Sequence, residues 1–294
     1  MYEKIICIGE ILWDALPGGL FLGGAPLNVH YHLSQLGEAT QIVSRVGNDR
    51  LGREALRRIE YLQLNTELIQ LDDELETGFV EVSLDESGDP EYTFAAPVAW
   101  DNIQAENAIL DTLDEAWAVV FGSLVLRDQR SKTAVQQMLK EDIIKVCDIN
   151  LRAPHYDKKT VEACLQAADI LKLNSEELQQ LITWFGLPKT DRAAIEELCK
   201  CFECSTVSVT QGSKGALLFH QGEWAQHPGY STQVADAVGA GDAFLAALLH
   251  GLHNKLDSEE VLSLANASGA YVASCSGALP DYTIDDIEDI QNEL

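Results

Sequence analysis

Positive charge is scarce in this chain of 294 residues: 20 Lys and Arg stand against 47 Asp and Glu, a formal net charge of −27. Nucleic-acid affinity comes mostly from Lys and Arg meeting phosphates, so no nucleic acid is expected as a partner. The same balance disfavours an anionic membrane surface. It reads as a solvated, soluble surface, with adaptation to a salty cytoplasm as the other source. Long apolar runs are missing too. None reaches 18 residues, so no membrane span is expected. The start of the chain, Met1 to Gly9, is too short and too β-like for a secretory signal. The seven cysteines lack a framework spacing. Cys7, Cys147, Cys164 and Cys275 sit in apolar runs, as reduced cysteines do, and a cytoplasmic location is expected. Cys199, Cys201 and Cys204 cluster as C-x-C-x-x-C. Zinc takes about four ligands and no fourth Cys or His lies nearby, so the cluster reads as structural.

Two nucleotide motifs are absent. A dinucleotide fold wants G-x-G-x-x-G at the turn after an early strand. After Ile5–Ile8 the chain reads Gly9-Glu10-Ile11-Leu12, which does not fit. The G-x-x-x-x-G-K-[ST] run of a P-loop enzyme does not occur.

What is present is an alternation of apolar runs and helical patterns. Ile5–Ile8, Gln41–Val46, Trp117–Phe121, Ile144–Ile149, Ile170–Leu173 and Thr206–Thr210 read as short buried strands. Leu27–Leu36, Leu51–Tyr61, Ser131–Leu139, Lys159–Ala168, Ser175–Phe185 and Ile195–Cys201 read as helices between them. This order implies an α/β fold, a mainly parallel sheet with helices on both faces. Two stretches break it. Leu16–Leu22 is short and Gly-rich, and Thr77–Phe94 alternates on a two-residue period around a turn at Glu86-Ser87-Gly88-Asp89-Pro90. Together they suggest a small sheet, or for the second alone an ordinary edge hairpin. After Asp242 the pattern is helical over Ala243–Leu252 and Ser258–Cys275, followed by a short acidic tail.

The segment Asp236-Ala237-Val238-Gly239-Ala240-Gly241-Asp242-Ala243-Phe244 places two glycines before a carboxylate and the carboxylate before an apolar helical run. A helix start carries unpartnered N–H groups and the positive end of the dipole, which suits phosphate. Asp242 there is either a simple cap or a base held beside a phosphoryl group. A second Gly-rich element, Gly23-Gly24-Ala25-Pro26-Leu27-Asn28, starts another helix. Its Asn28 offers the donors and acceptor that sugar hydroxyls require, though a Pro-started helix needs no such role. In parallel sheets ligands bind beyond the carboxyl ends of the strands. Polar residues fall there: Glu10 and Asp14, Asn150 and Arg152, Asn174 and Glu177, Thr210 and Gly212. Arg152 can meet a phosphate or form a structural ion pair. Asn174 with Glu177 three residues on is also a helix cap. Thr210 to Ala216 need be no more than a hairpin turn.

These elements together resemble the ribokinase-like (PfkB) family of carbohydrate kinases, over essentially the whole chain. The resemblance rests on Gly23 to Asn28 followed by Leu36-Gly37 and Val46-Gly47-Asn48-Asp49, on Asn174/Glu177, on Thr210/Gly212, and on Asp236 to Phe244. Gly9 to Asp14, Tyr92-Thr93-Phe94, Pro97 to Asp101, Gly122-Ser123-Leu124, Arg127 and Asn150-Leu151-Arg152 look most like bacterial fructokinases. Ala237 stands where the family often has Thr.

The resemblance implies a single kinase domain over residues 1–294. Its fold would be a ribokinase-like three-layer α/β/α sandwich with a β-sheet lid from about 11–22 and 77–98. It implies transfer of the ATP γ-phosphoryl to a sugar hydroxyl. Asp242 would be the base, with the amides of Gly239, Ala240 and Gly241 as anion hole and Arg152 assisting. Asp14, Gly23, Gly24, Asn28 and Asn150 would bind sugar. Asn174, Glu177, Thr210, Gly212, Gly215 and Asn266 would serve the nucleotide, with Glu177 reaching Mg²⁺ through water. A monovalent cation such as K⁺ would take oxygens of Asp236, Val238, Val272, Cys275, Gly277 and Asp281. Lids of the family often pair, which implies a homodimer.

A phosphorylated acceptor needs fixed cations, and residues 5–44 and 77–101 contain no Lys or Arg. That favours a neutral sugar such as fructose, unless Arg127 faces the site. Ribose, 2-keto-3-deoxygluconate or a nucleoside remain open as acceptors, as does a catalytically silent sugar-binding regulator on the same fold.

Overall fold

The computed structural model describes residues 4–16, 18–84, 90–140 and 142–292. The chain runs β1 (Lys4–Ile8), β2 (Leu12–Leu16), β3 (Gly19–Gly23), α1 (Ala25–Gln35), β4 (Ala39–Gly47), α2 (Arg50–Tyr61), β5 (Ile69–Asp72), β6 (Gly78–Leu84) and β7 (Pro90–Phe94). It continues through α3 (Asn107–Leu113), β8 (Ala116–Gly122), α4 (Gln129–Met138), β9 (Ile144–Asp148), α5 (Lys158–Ala167), β10 (Ile170–Asn174), α6 (Ser175–Phe185) and α7 (Asp191–Phe202). The last elements are β11 (Thr206–Thr210), β12 (Ala216–His220), β13 (Glu223–His227), α8 (Ala240–His253), α9 (Ser258–Ser274) and α10 (Ile284–Asn292).

The main sheet has nine strands in the order β13-β12-β11-β10-β9-β8-β1-β4-β5. From β5 to β11 neighbours are parallel, and β12 and β13 add antiparallel. Strand side chains alternate between faces, so β1 serves both layers. Ile6 and Ile8 join a core with residues of α3 to α7, whereas Ile5 and Cys7 join a core with residues of α1, α8 and α9. The result is three layers around a two-sided apolar sheet, as the alternating pattern implied.

A second sheet, in the order β3-β2-β6-β7, collects strands from 12–16, 19–23, 78–84 and 90–94. Both stretches that broke the α/β rhythm contribute to it. Leu16–Leu22 contributes the end of β2 and most of β3, paired antiparallel, and β2 pairs parallel with β6. The turn expected over 86–90 lies, except for Pro90, outside the described residues. Asp49 ties this region to the body. One of its carboxylate oxygens caps α2 through Gly52 N at 2.7 Å, and the other accepts from Thr77 N at 2.7 Å.

Four differences from the sequence reading stand out. The expected acidic tail is the helix α10, whose Ile287 is buried against the α8–α9 core. The strand β5, the helix α3 and the edge strand β13 were not anticipated, being only 4, 7 and 5 residues long.

Candidate active site

The sheet order reverses at β1, whose neighbours β8 and β4 lead chain segments running in opposite directions along the sheet. A small pocket opens beyond the carboxyl ends of β1, β8 and β9, lined by Glu10, Gly122, Ser123, Asp148 and Asn150. A strand-order switch leaves room there because the connections diverge to opposite sides.

The first Gly-rich element lies directly on the turn after β1. At Gly24, with φ of +117°, a Cβ would overlap the carbonyl oxygen of Glu10, so only glycine admits this approach. Ala25 N donates to Glu10 Oε1 at 3.1 Å, which fixes the start of α1. Pro26 sits in the first turn, and Asn28 one turn up is buried. On β2, Asp14 lies opposite Phe21 and near Gly23, where an added Cβ would stand 2.7 Å from its Oδ2.

The second Gly-rich element starts α8. Its N-cap is Gly239 in the left-handed region at φ +80°, with no side-chain cap. A Cβ there would lie 2.7 Å from Ala278, so the loop cannot tolerate a side chain. The amides of Ala240 and Asp242 make only turn bonds, to Ala237 O at 3.4 Å and Gly239 O at 3.1 Å, and no described group accepts from the Gly241 amide. Such a helix start fits an anion.

Asp242 does not cap its own helix. Its Oδ2 accepts from Asn28 Nδ2 at 2.8 Å, joining the two Gly-rich elements across 214 residues of sequence. Asn28 Oδ1 is buried without a partner, an open acceptor at the junction. Burial pushes Asp242 up to about 6; Asn28, Lys172 and Arg152 oppose the shift, and Asp148 adds to it. Burial likewise raises Glu10 to about 7 and Asp14 to about 6, each opposed by Arg152. Arg152 itself is exposed, and its charge reaches all three carboxylates.

Asn174 and Glu177 form the reciprocal cap of α6 that their spacing allowed. Asn174 Oδ1 accepts from Glu177 N at 2.9 Å, and Glu177 Oε2 accepts from Asn174 N at 2.8 Å. Glu177 Oε1 accepts from Leu151 N at 2.9 Å, linking α6 to the Asn150–Arg152 loop. Each carboxylate oxygen keeps a second lone pair, which suits contact with a hydrated Mg²⁺ better than direct ligation. Thr210 pairs with Asn174 across β10 and β11, so these residues share a rim. Gly212 and Gly215 flank the short turn to β12. Asn266 is buried on α9, with Nδ2 donating to Leu262 O at 2.7 Å.

The residues expected to hold a monovalent cation fall on the loop before α8, the last turn of α9 and the segment after it. Asp236 Oδ1 accepts from Val238 N at 3.0 Å and its Oδ2 from Gly277 N at 3.3 Å. Val272 O accepts from Cys275 N at 3.0 Å, and Asp281 Oδ1 accepts from Tyr31 OH at 3.3 Å.

Arg127 does not offer a free charge to the acceptor. Its guanidinium makes two 2.8 Å contacts with Asp101, donates to Ala95 O at 2.7 Å, and lies 3.8 Å over the Trp100 ring.

Sequence reasoning passed over Lys172. It is buried in β10, and its Nζ lies 2.9 Å from Asp148 Oδ2. The available signal was a lysine inside the apolar run Ile170-Leu171-Lys172-Leu173.

An α/β fold with an anion-fitted helix start, an adjoining carboxylate and a polar cleft at the strand-order switch defines a phosphotransferase acting on a small hydroxyl compound. Residues 18–284 match the model of the pfkB family carbohydrate kinases. The fructokinase of Escherichia coli is 29% identical over 304 residues, covering 95% of this chain and 96% of that protein. A sugar kinase of Pyrococcus horikoshii, solved in complex with ATP, superposes with a TM-score of 0.82 at 28% identity, covering 97% of this chain and 99% of that one. The fructokinase of Xylella fastidiosa with bound ATP shares the fold at a TM-score of 0.87 and 23% identity, covering 100% and 99%. The chain belongs to the pfkB family of carbohydrate kinases. It is an ATP-dependent sugar kinase.

Among the described residues no helix is long and apolar enough to cross a membrane.

Proposed function

We propose that the protein transfers the γ-phosphoryl of ATP to a hydroxyl of a neutral sugar, D-fructose to fructose 6-phosphate. The observation that carries this reading is the 2.8 Å hydrogen bond between Asn28 and Asp242. It sets the candidate base on the anion loop beside a residue of the sugar-type element.

In this reading Asp242 accepts the proton of the attacking hydroxyl as the oxygen reaches the phosphorus. The amides of Gly239, Ala240, Gly241 and Asp242 hold the charge developing on the transferred group, with Arg152 beside them. Asp14, Gly23, Gly24, Asn28 and Asn150 orient the sugar; the open Oδ1 of Asn28 fits a hydroxyl donor. Asn174, Thr210, Gly212, Gly215 and Asn266 line the nucleotide side. Mg²⁺ would be held by ATP phosphates and waters oriented by Glu177, neutralising phosphate charge. K⁺ would sit among oxygens of Asp236, Val238, Val272, Cys275, Gly277 and Asp281, steadying the loop that carries Gly239. The small sheet serves as a lid that excludes water, within a single kinase domain over residues 1–294. Its edge strand β3 exposes Leu20 and Phe21, which supports a homodimer through the lid. The location is cytoplasmic.

Fructose is favoured over a sugar phosphate because residues 5–44 and 77–101 carry no Lys or Arg and Arg127 is engaged by Asp101. A coupled ATP assay across fructose, ribose, 2-keto-3-deoxygluconate, nucleosides and sugar phosphates tests this. Fructose is expected to give the highest kcat/KM. A clear preference for a phosphorylated acceptor would sink the assignment.

A further inference from the structure

The buried pair Lys172–Asp148 adjoins the site but is not among the residues proposed as base, sugar, nucleotide or cation ligands. Strand register makes it: Lys172 on β10 stands directly opposite Asp148 on β9. Both are buried, at 6% and 5% exposure, with Nζ 2.9 Å from Oδ2. A buried ion pair is weak evidence for a stabilising role, because desolvation offsets the attraction. Two observations tie this one to the reaction centre. A Cβ added at Gly241 would lie 3.2 Å from Lys172 Nζ, so the ammonium sits against the middle of the anion loop. Asp148 Oδ1 is buried with no partner, beside the cavity that Glu10 and Asn150 also line. An ammonium has three donors, and among the described residues only Asp148 takes one from Lys172.

We propose that Lys172, pinned by Asp148, is a positioning residue for phosphoryl transfer: its charge lies beneath the Gly239–Asp242 loop as the counter-charge of both Asp242 and the phosphoryl group held there. The proposal rests on the reading of Asp242 as base. A point charge this close to a half-buried carboxylate acts through a medium less screening than water. The groups acting on Asp242 are Asn28 on α1, Asp148 on β9, Lys172 on β10 and Arg152 on the loop after β9. Cys7 on β1 and Glu10 just after it also feel its charge. The groups acting on Lys172 are Asp148, Glu177 and Asp242. Lys172 favours the ionised form of Asp242 and Asp148 disfavours it. The two halves of the pair therefore have opposite signatures, which a structural role would not produce.

The experiment is the pH profile of kcat for Lys172→Met, Lys172→Arg, Asp148→Asn and the double variant Lys172→Met/Asp148→Asn, each checked for folding by circular dichroism. Lys172→Met should move the acid limb to higher pH and lower kcat at least tenfold at neutral pH. Asp148→Asn should move the limb to lower pH, and Lys172→Arg should stay near the parent. The double variant leaves no unpaired buried charge, so it keeps the test open if Lys172→Met fails to fold; its limb should lie above that of Asp148→Asn. Coincident acid limbs in the folded variants would overturn the proposal. Asp242→Asn, run in parallel, separates the two failures. Near-normal turnover there removes the base itself, whereas its loss together with coincident limbs removes only the role of Lys172.

Discussion

At the scale of single residues, the site depends on carboxyl groups taken partly out of water. As the proposed base, Asp242 would act only when ionised, and burial lifts it to about 6. Turnover should therefore fall as pH drops through about 6, read from kcat against pH at saturating substrates. Asp242→Asn should lower kcat by about 10³-fold, within the usual range for a general base, with an unchanged circular dichroism spectrum and ATP affinity. A role confined to helix geometry would leave kcat intact. Glu10 gives a stability effect instead. Its carboxyl is raised from 4.5 unfolded to about 7 in the fold, chiefly by burial. The native state thus holds its proton more tightly than the unfolded chain. The stability it contributes is complete below about pH 4.5 and is lost as pH rises through about 7. Glu10→Gln removes that loss. Its midpoint in urea should exceed the parent's at pH 8, by at most about 3 kcal/mol in unfolding free energy, with the gain shrinking toward pH 5. An equal difference at both pH values would contradict the assignment.

At the scale of elements, the caps and turns do two jobs that stability alone does not separate. The reciprocal cap of α6 uses Asn174 and Glu177. Asn174→Ala should cost about 1 kcal/mol of unfolding free energy. If the pair also orients waters on Mg²⁺, the same variant raises the KM for MgATP severalfold, a change that loss of a cap does not produce. The cap was visible in the spacing, since N-x-x-E states it outright, whereas the role toward Mg²⁺ follows only from the family resemblance. The long elements were equally legible: α6 runs over Ser175–Phe185 as its periodicity implied. The elements not anticipated carry too few residues to show a period. β5 has four residues, and α10 looked like an acidic tail because its burial comes only from tertiary contact at Ile287.

At the scale of the whole molecule, 47 acidic residues against 20 basic ones make the fold repel itself. Added salt screens that repulsion over roughly a Debye length, about 10 Å at 0.1 M. The melting temperature should rise between 10 mM and 0.5 M NaCl in differential scanning calorimetry. A fall would mean that specific ion pairs such as Arg45–Asp72 outweigh the net charge.

The layered α/β fold, the two Gly-rich helix starts and the absence of Lys and Arg over 5–44 and 77–101 were determined by the sequence alone. These follow from periodicity, from glycine's backbone freedom and from composition, all local properties. Tertiary structure decided which local readings were used. Asp242 accepts from Asn28 rather than capping α8, because the starts of α1 and α8 meet across 214 residues. Arg127 is claimed by Asp101, and Lys172 lies under the anion loop, because strand order and register bring those residues together. Charges act over distances in space, and a linear chain does not carry those distances.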